Sequence, residues 1–271
     1  MRKLDRLGWA AGMTVLAYGV RIGLRTNQPE ALEKLTAILP PGWKTARGRT
    51  VERVFSLFVG GPGPRPGQRK FHLGYSDFDR IARSFELSEV IEAMASEIQL
   101  FVAERAKRRV FIHAGVVGWR GQAIIIPGSS MSGKSTLVEA LVRAGAEYYS
   151  DEYAVLDAEG RVHPFPKSPQ RRDPVTYRQT SFTVESVGGV TGARLLPVGA
   201  VIVTRYEPGV VWRPHALSAG RGVLALMAHA VAARQSPELV LPALTQLANR
   251  ATILKGSRGE ALQLVAALLK P

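Results

Sequence analysis

The stretch Ile124-Ile125-Ile126-Pro127-Gly128-Ser129-Ser130-Met131-Ser132-Gly133-Lys134-Ser135-Thr136-Leu137 decides how this chain is read. Its apolar, β-branched start reads as a strand. Its end opens an amphipathic helix carrying Leu137, Val138, Leu141 and Val142, with Gly145 as the C-cap. Between them, Gly128 to Ser135 matches the pattern G-x-x-x-x-G-K-[ST] in the strand–loop–helix context that this pattern requires. Glycines permit the tight path by which backbone amides turn toward phosphate oxygens, and the helix start adds unpaired donors and the positive end of its dipole. Gly128, Ser129, Ser130, Met131, Ser132 and Gly133 therefore form the expected cradle. Lys134 brings a point charge to the β- and γ-phosphates, the Ser135 hydroxyl ligates Mg²⁺, and Thr136 supports the loop. ATP and Mg²⁺ are the expected ligands.

Working outward, Val110 to Val117 reads as a strand holding His113, and Gly118 to Gly121 as a turn into the loop-bearing strand. A lone histidine on an apolar strand is usually a core residue. Only the loop fifteen residues downstream raises its interest. Asp151 and Glu152 follow the loop helix and are expected to open the strand Tyr153 to Leu156. Two adjacent acids there can divide the work: one holds Mg²⁺, the other takes the proton of an attacking hydroxyl. An acid that opens its strand is not the usual Walker-B arrangement, which argues against a motor or switch ATPase.

Further on, Pro164 to Pro174 reads as a proline-rich loop, and Lys167 to Arg178 as a basic segment suited to an acidic acceptor. Val198 to Thr204 reads as a buried strand. Helices are expected over Gly222 to Arg234, Pro237 to Ala248 and Gly259 to Leu269, with a strand at Ala251 to Leu254.

The 271 residues carry 36 Lys and Arg against 22 Asp and Glu, a formal charge of +14, which favours anionic partners without naming one. No RNA-binding aromatic signature or zinc-finger spacing is present, so no specific nucleic acid is expected. The absence of cysteine excludes disulfides, thiolate metal sites and a cysteine nucleophile, and fits a reducing cytoplasm. The apolar run Leu7 to Val20 is too short for a transmembrane helix. From Leu16 it alternates, with Leu16, Tyr18, Val20, Ile22 and Leu24 on one face, and reads as a single half-buried strand. A helix through Leu32, Leu35, Ile38 and Leu39, a strand Val51 to Val59, and a helix capped by Ser88 follow. Residues 1–105 then form an accessory α+β region, and 106–271 the nucleotide-binding unit.

Three motifs together resemble the catalytic domain of the HPr kinase/phosphorylase family: His113-Ala114-Gly115, the loop Gly128 to Ser135, and the pair Asp151-Glu152. The resemblance covers roughly residues 110 to 235. It implies an α/β fold with a mixed, bent sheet, akin to phosphoenolpyruvate carboxykinase, and transfer of the ATP γ-phosphate to a serine of a protein or peptide. Relatives of this shorter kind sit beside pathways for modified peptides. The resemblance gives Glu152 the general-base role, Asp151 a place near the metal, and His113 the support of the acids and the transferred phosphate. Ala219-Gly220-Arg221 is similar to the family's Pro-Gly-Arg, which makes Arg221 a phosphate contact, and Glu185 matches a further Mg²⁺ ligand. A closed homo-oligomer is also implied. The chain departs from the family in having Glu152 where a second aspartate is usual, and Ser186-Val187 where a signature arginine stands. Two other readings of the same loop stand beside this one: a small-molecule kinase, and a nucleotide-binding regulator without catalysis.

Overall fold

The computed structural model describes residues 3–48, 50–63, 65–129, 132–172 and 179–269. The chain divides into two compact units, Met1–Lys107 and Arg108–Pro271. Among the described residues no helix is long and apolar enough to cross a membrane.

The first unit contains β1 (Ala11–Ala17), β2 (Val20–Thr26), α1 (Ala31–Ala37), β3 (Lys44–Thr45), β4 (Arg53–Phe58), β5 (His72–Ser76), β6 (Asp79–Ser84) and α2 (Leu87–Arg105). Its sheet runs β3-β1-β2-β4-β5-β6. The alternation from Leu16 to Leu24 is therefore two strands, not one. Tyr18 (φ 51°) and Gly19 (φ 85°) make a two-residue turn that pairs Ala17 with Val20. Positive φ at both turn positions matches the twist of the flanking strands. The turn also changes which residues face inward: Val15, Ala17, Val20, Ile22 and Leu24 are buried, whereas Leu16 is 37% exposed. Helix α2 starts at Leu87 with Glu86 at its N-cap, so Ser88 lies inside the first turn rather than capping it.

The second unit contains β7 (Val110–Trp119), β8 (Gln122–Pro127), α3 (Lys134–Arg143), β9 (Glu147–Ser150), β10 (Tyr153–Leu156), β11 (Val162–His163), β12 (Gln170–Arg172), β13 (Gln179–Ser181), β14 (Val198–Tyr206), β15 (His215–Ala216), α4 (Ala219–Met227), α5 (Pro237–Ala248), β16 (Thr252–Arg258) and α6 (Ala261–Leu268). Its main sheet runs β11-β10-β7-β8-β14-β16-β15, with β9 also pairing β7, while β12 and β13 pair with each other. The expected proline-rich loop thus contains a strand, β12. The helix expected over Gly222 to Arg234 begins at Ala219 and stops at Met227.

Period-2 alternation builds two apolar layers from this sheet. Val110, Ile112, Ala114, Val116, Ile125, Val201 and Ile253 pack with Leu226 of α4 and Val240 and Leu244 of α5. Val117, Ile124, Ile126 and Ile202 point the other way, onto Leu137 and Leu141 of α3 and Leu264 and Val265 of α6. Each such Val, Leu or Ile side chain contributes about 1.5–3 kcal/mol by leaving water. The sheet is mixed: β7 is antiparallel to β8, whereas β8, β14 and β16 are mutually parallel. The C-terminal ends of those three strands therefore open on one edge, where open α/β sheets hold ligands.

The hairpin from β10 to β11 turns on Asp157, which is 5% exposed. Its carboxylate accepts from the backbone amides of Glu159 and Arg161 and from Arg161 Nε at 2.9 Å. His163 Nε2 lies 3.4 Å away. Burial works against the Asp157 charge, but the Arg161 bonds outweigh it and hold the carboxyl below its ordinary range.

Candidate functional site

Loop and helix start. Gly133, at φ 80°, turns the chain from the loop into α3, a left-handed position that favours glycine. Lys134 is only 7% exposed, and its Nζ donates to the Ser129 carbonyl at 2.6 Å. Burial lowers the Lys134 ammonium to about 8, with the Asp151 and Glu152 charges acting in the opposite direction. The Ser132 hydroxyl is buried without a hydrogen-bond partner, an orphan polar atom within the loop. Ser135 and Thr136 are exposed on the first turn of α3. Ser130 and Met131 lie outside the described residues.

The acid pair. Asp151 and Glu152 form the bend between β9 and β10, so the acids close one strand and precede another. The expectation that they open a strand missed β9, whose Tyr148 and Tyr149 are buried core residues rather than turn. Both strands pair the same edge of β7, Ser150 opposite Val116 and Tyr153 opposite His113. On the other edge of β7, Ala114 pairs with Pro127, one residue before the loop. The acids and the loop thus flank β7 at the same level, about 10 Å apart at the backbone from two strand spacings. The Ala114 amide donates to the Glu152 carbonyl, fixing the bend. Helix α3 lies over this point: a Cβ on Gly115 would sit 3.9 Å from Lys134 Cβ and 2.5 Å from Val138 Cγ2. Glycine at 115 lets the helix settle close enough to bring Lys134 toward the acids.

Both acids are held. The Tyr148 hydroxyl lies 3.0 Å from Asp151 Oδ1 and 2.8 Å from the Lys167 carbonyl, and it has one proton to share between them. Burial, then the Asp151 charge, pushes the phenol well above its ordinary range, so it acts as a donor. Lys167 Nζ reaches Glu152 Oε2 at 2.5 Å. Lys167 was expected only as part of a basic loop. Its role as the Glu152 partner had no signal in the sequence.

Histidines and an arginine. His113 Nδ1 lies 2.8 Å from the Gly128 carbonyl. A carbonyl only accepts, so Nδ1 carries the proton and, in the neutral ring, Nε2 is left as acceptor. Burial, then the Lys134 charge, lowers the His113 pKa and favours that neutral ring. His229 enters from the segment after α4: its carbonyl accepts from the His113 amide at 2.8 Å, and burial followed by Lys134 lowers its pKa too. Arg258, at the end of β16, donates from Nη2 to the Gly133 carbonyl at 3.0 Å. Neither His229 nor Arg258 was legible in the sequence, because each is defined only by neighbours far away in the chain.

Other candidates lie apart from this cluster. Arg221 is exposed on the first turn of α4, and among the described residues no hydrogen bond or ion pair joins it to the loop. Glu185 is exposed on a short 3-10 turn, Glu185–Val187, preceded by Val184. Gly189 just beyond it packs on Val142, in the last turn of α3 and away from Ser135. Among the described residues no group of three carboxylate or histidine side chains assembles for a metal ion. Of the basic segment, residues 173–178 with Arg178 lie outside the described residues, while the backbones of Arg171 and Arg172 belong to β12.

A scan against models of known protein families finds no match for this chain, and a search of curated proteins finds none.

Proposed function

We propose that this chain is an ATP- and Mg²⁺-dependent phosphotransferase that acts on a serine hydroxyl of a protein or peptide, with a P-loop kinase fold of the HPr kinase and phosphoenolpyruvate carboxykinase type. The observation that carries this reading is the shared level of the acid pair and the loop on either side of β7, with Lys134 buried between them. The residues fit a bound polyphosphate. Gly133 is left-handed, the Ser132 hydroxyl is orphaned, Lys134 is held only by a loop carbonyl, and Ser135 is exposed. Mg²⁺, when bound, supplies Lewis-acid neutralisation of phosphate charge. Ser135 and Asp151 are the residues that would hold it.

The protein groups have separable tasks in this proposal. Lys134 and the α3 amides bind and orient the phosphates. His113, locked on the Gly128 carbonyl, holds the start of the loop. Tyr148 keeps Asp151 in place. Glu152 receives the proton of the acceptor hydroxyl, and Lys167 keeps that carboxylate oriented until the acceptor arrives.

The test is incubation with γ-labelled ATP, Mg²⁺ and serine peptides, comparing wild type with Glu152→Gln. The proposal expects label on peptide serine from wild type only, with ATP affinity spared in the variant. Label released solely to water would defeat it. The Lys167–Glu152 pair favours one second reading, a nucleotide-dependent regulator in which Glu152 never serves as base. There, Glu152→Gln leaves every activity unchanged.

A further inference from the structure

Arg258 is an unusual residue to bury. It is 3% exposed, and its guanidinium makes two hydrogen bonds, from Nη1 to the Gly259 carbonyl at 3.1 Å and from Nη2 to the Gly133 carbonyl at 3.0 Å. Its Nε is buried without a partner. The Tyr206 ring lies 5.4 Å away, and the Tyr206 hydroxyl is itself bonded to Glu260. Among the described residues no carboxylate comes within ion-pair distance of Arg258. Cations withdrawn from water are ordinarily paired.

Its position makes the burial costlier still. The Gly133 carbonyl also accepts the Leu137 amide, so it is the first acceptor of helix α3. Arg258 therefore sits at the positive end of the α3 dipole, where a cation is repelled. Lys134, a second buried cation, begins the same helix. Two cations and a helix N-terminus converge on one small region; the Asp151 and Glu152 charges act on Lys134, and the Glu260 charge acts on Arg258 without forming an ion pair. A protein assembles such a field where an anion of several charges is to be received.

We infer that Arg258 is a positioning residue of the polyphosphate site: it holds Gly133 in its left-handed conformation from beneath, and its charge, which among the described residues no carboxylate meets at ion-pair distance, is balanced by the bound triphosphate. This rests on reading the loop as a polyphosphate site and adds a second fixed cation to it. The geometry of Gly133 agrees, since a Cβ there would lie 2.5 Å from Arg258 Nη2. Glycine at 133 is thus required twice, by its φ and by the guanidinium seated on it.

The experiment uses the full chain, with inorganic tripolyphosphate, pyrophosphate and ATP as calorimetric probes and thermal unfolding without ligand as the companion measurement. Arg258→Gln and Arg258→Met should weaken tripolyphosphate about tenfold or more, and pyrophosphate less, because the lost term scales with ligand charge. The unfolding midpoint of the free protein should stay level or rise, because an unpaired buried charge has been removed. Arg258→Lys, which keeps the charge, should retain most of the affinity. A purely structural arginine gives the opposite pattern: a lower midpoint, with equal losses for tripolyphosphate and pyrophosphate. If Arg258→Met does not fold, the comparison of Arg258→Lys with Arg258→Gln decides. Wild-type affinity in the glutamine variant, or equal losses in both, overturns the inference. Lys134→Ala is the control that separates the two claims. If wild type binds none of the probes, the loop reading falls and this inference with it. If wild type binds, Lys134→Ala does not, and Arg258→Gln still does, only the inference falls.

Discussion

On the proposed function, a triphosphate at the start of α3 needs Lys134 charged, and burial makes that charge easy to lose. The free protein holds the Lys134 ammonium at about 8, against 10.5 for an ordinary lysine. A bound polyanion favours the ammonium, so in the complex the proton is retained well above pH 8. Binding therefore takes up a proton in this range. The charged fraction of free Lys134 is about 0.9 at pH 7, about 0.5 at pH 8 and about 0.1 at pH 9, so affinity should fall about tenfold between pH 7 and pH 9, or ~1.4 kcal/mol. The phosphate's own last ionisation, near pH 6 for a monoester, is complete by then and contributes little. Calorimetry at pH 8 in two buffers of different ionisation enthalpy should report uptake of about half a proton per nucleotide. Circular dichroism over the same range should show the fold intact. The sign for stability is opposite to that for binding. The folded pKa lies below the unfolded one, so the unfolded chain binds more protons between about 8 and 10.5, and this site's contribution to the free protein's stability rises with pH there. Proton release on binding, or an affinity that climbs from pH 7.5 to 9, would refute the reasoning.

Other expectations follow from packing and hydrogen bonding. Gly115→Ala drives a Cβ to within 2.5 Å of Val138 Cγ2. It should cost about 1–3 kcal/mol, and chemical denaturation should show the loss reduced when Val138→Ala makes room. Tyr148→Phe strips the donor shared by Asp151 and the Lys167 carbonyl, and should cost about 1–3 kcal/mol. For a unit of this size that lowers the melting midpoint by roughly 2–4 °C per kcal/mol, and an unchanged midpoint would show the hydroxyl dispensable. Asp157→Asn should destabilise at neutral pH. Since the folded Asp157 pKa is depressed, the carboxylate's contribution is present above its ordinary range and lost as pH falls. The gap between wild type and variant should therefore close below about pH 4, measured by urea titration at stepped pH.

What the sequence disclosed was whatever is written locally. The strand before Gly128, the helix after Gly133, the hairpin turn at Gly121 and helix α5 each follow from periodicity and glycine placement within a dozen residues. The first hairpin was hidden because Ala17 and Val20 are small and apolar on both sides of a Tyr-Gly turn, so the alternation ran on unbroken through it. Strand β9 was hidden because Glu147 and Ser150 bracket its two tyrosines and look like loop. The loop, the acids and His113 stood out as residue types with known chemistry. Lys167, His229 and Arg258 did not, because nothing adjacent to them marks their role. Arg258 meets Gly133 across 125 residues, and a basic residue near the end of a strand is otherwise unremarkable.

That separation has a consequence for the order in which the protein is made. Helix α3 leaves the ribosome long before α6, whose Leu264 and Val265 close the apolar layer beneath Leu137 and Leu141. At roughly 5–20 residues per second, the 125 residues between Gly133 and Arg258 represent about 6–25 s of translation. Through that interval the nascent helix lacks both its greasy backing and its basic anchor. A capture pulse with immobilised nucleotide should accordingly retrieve finished chains and pass over ribosome-bound ones stalled before β16.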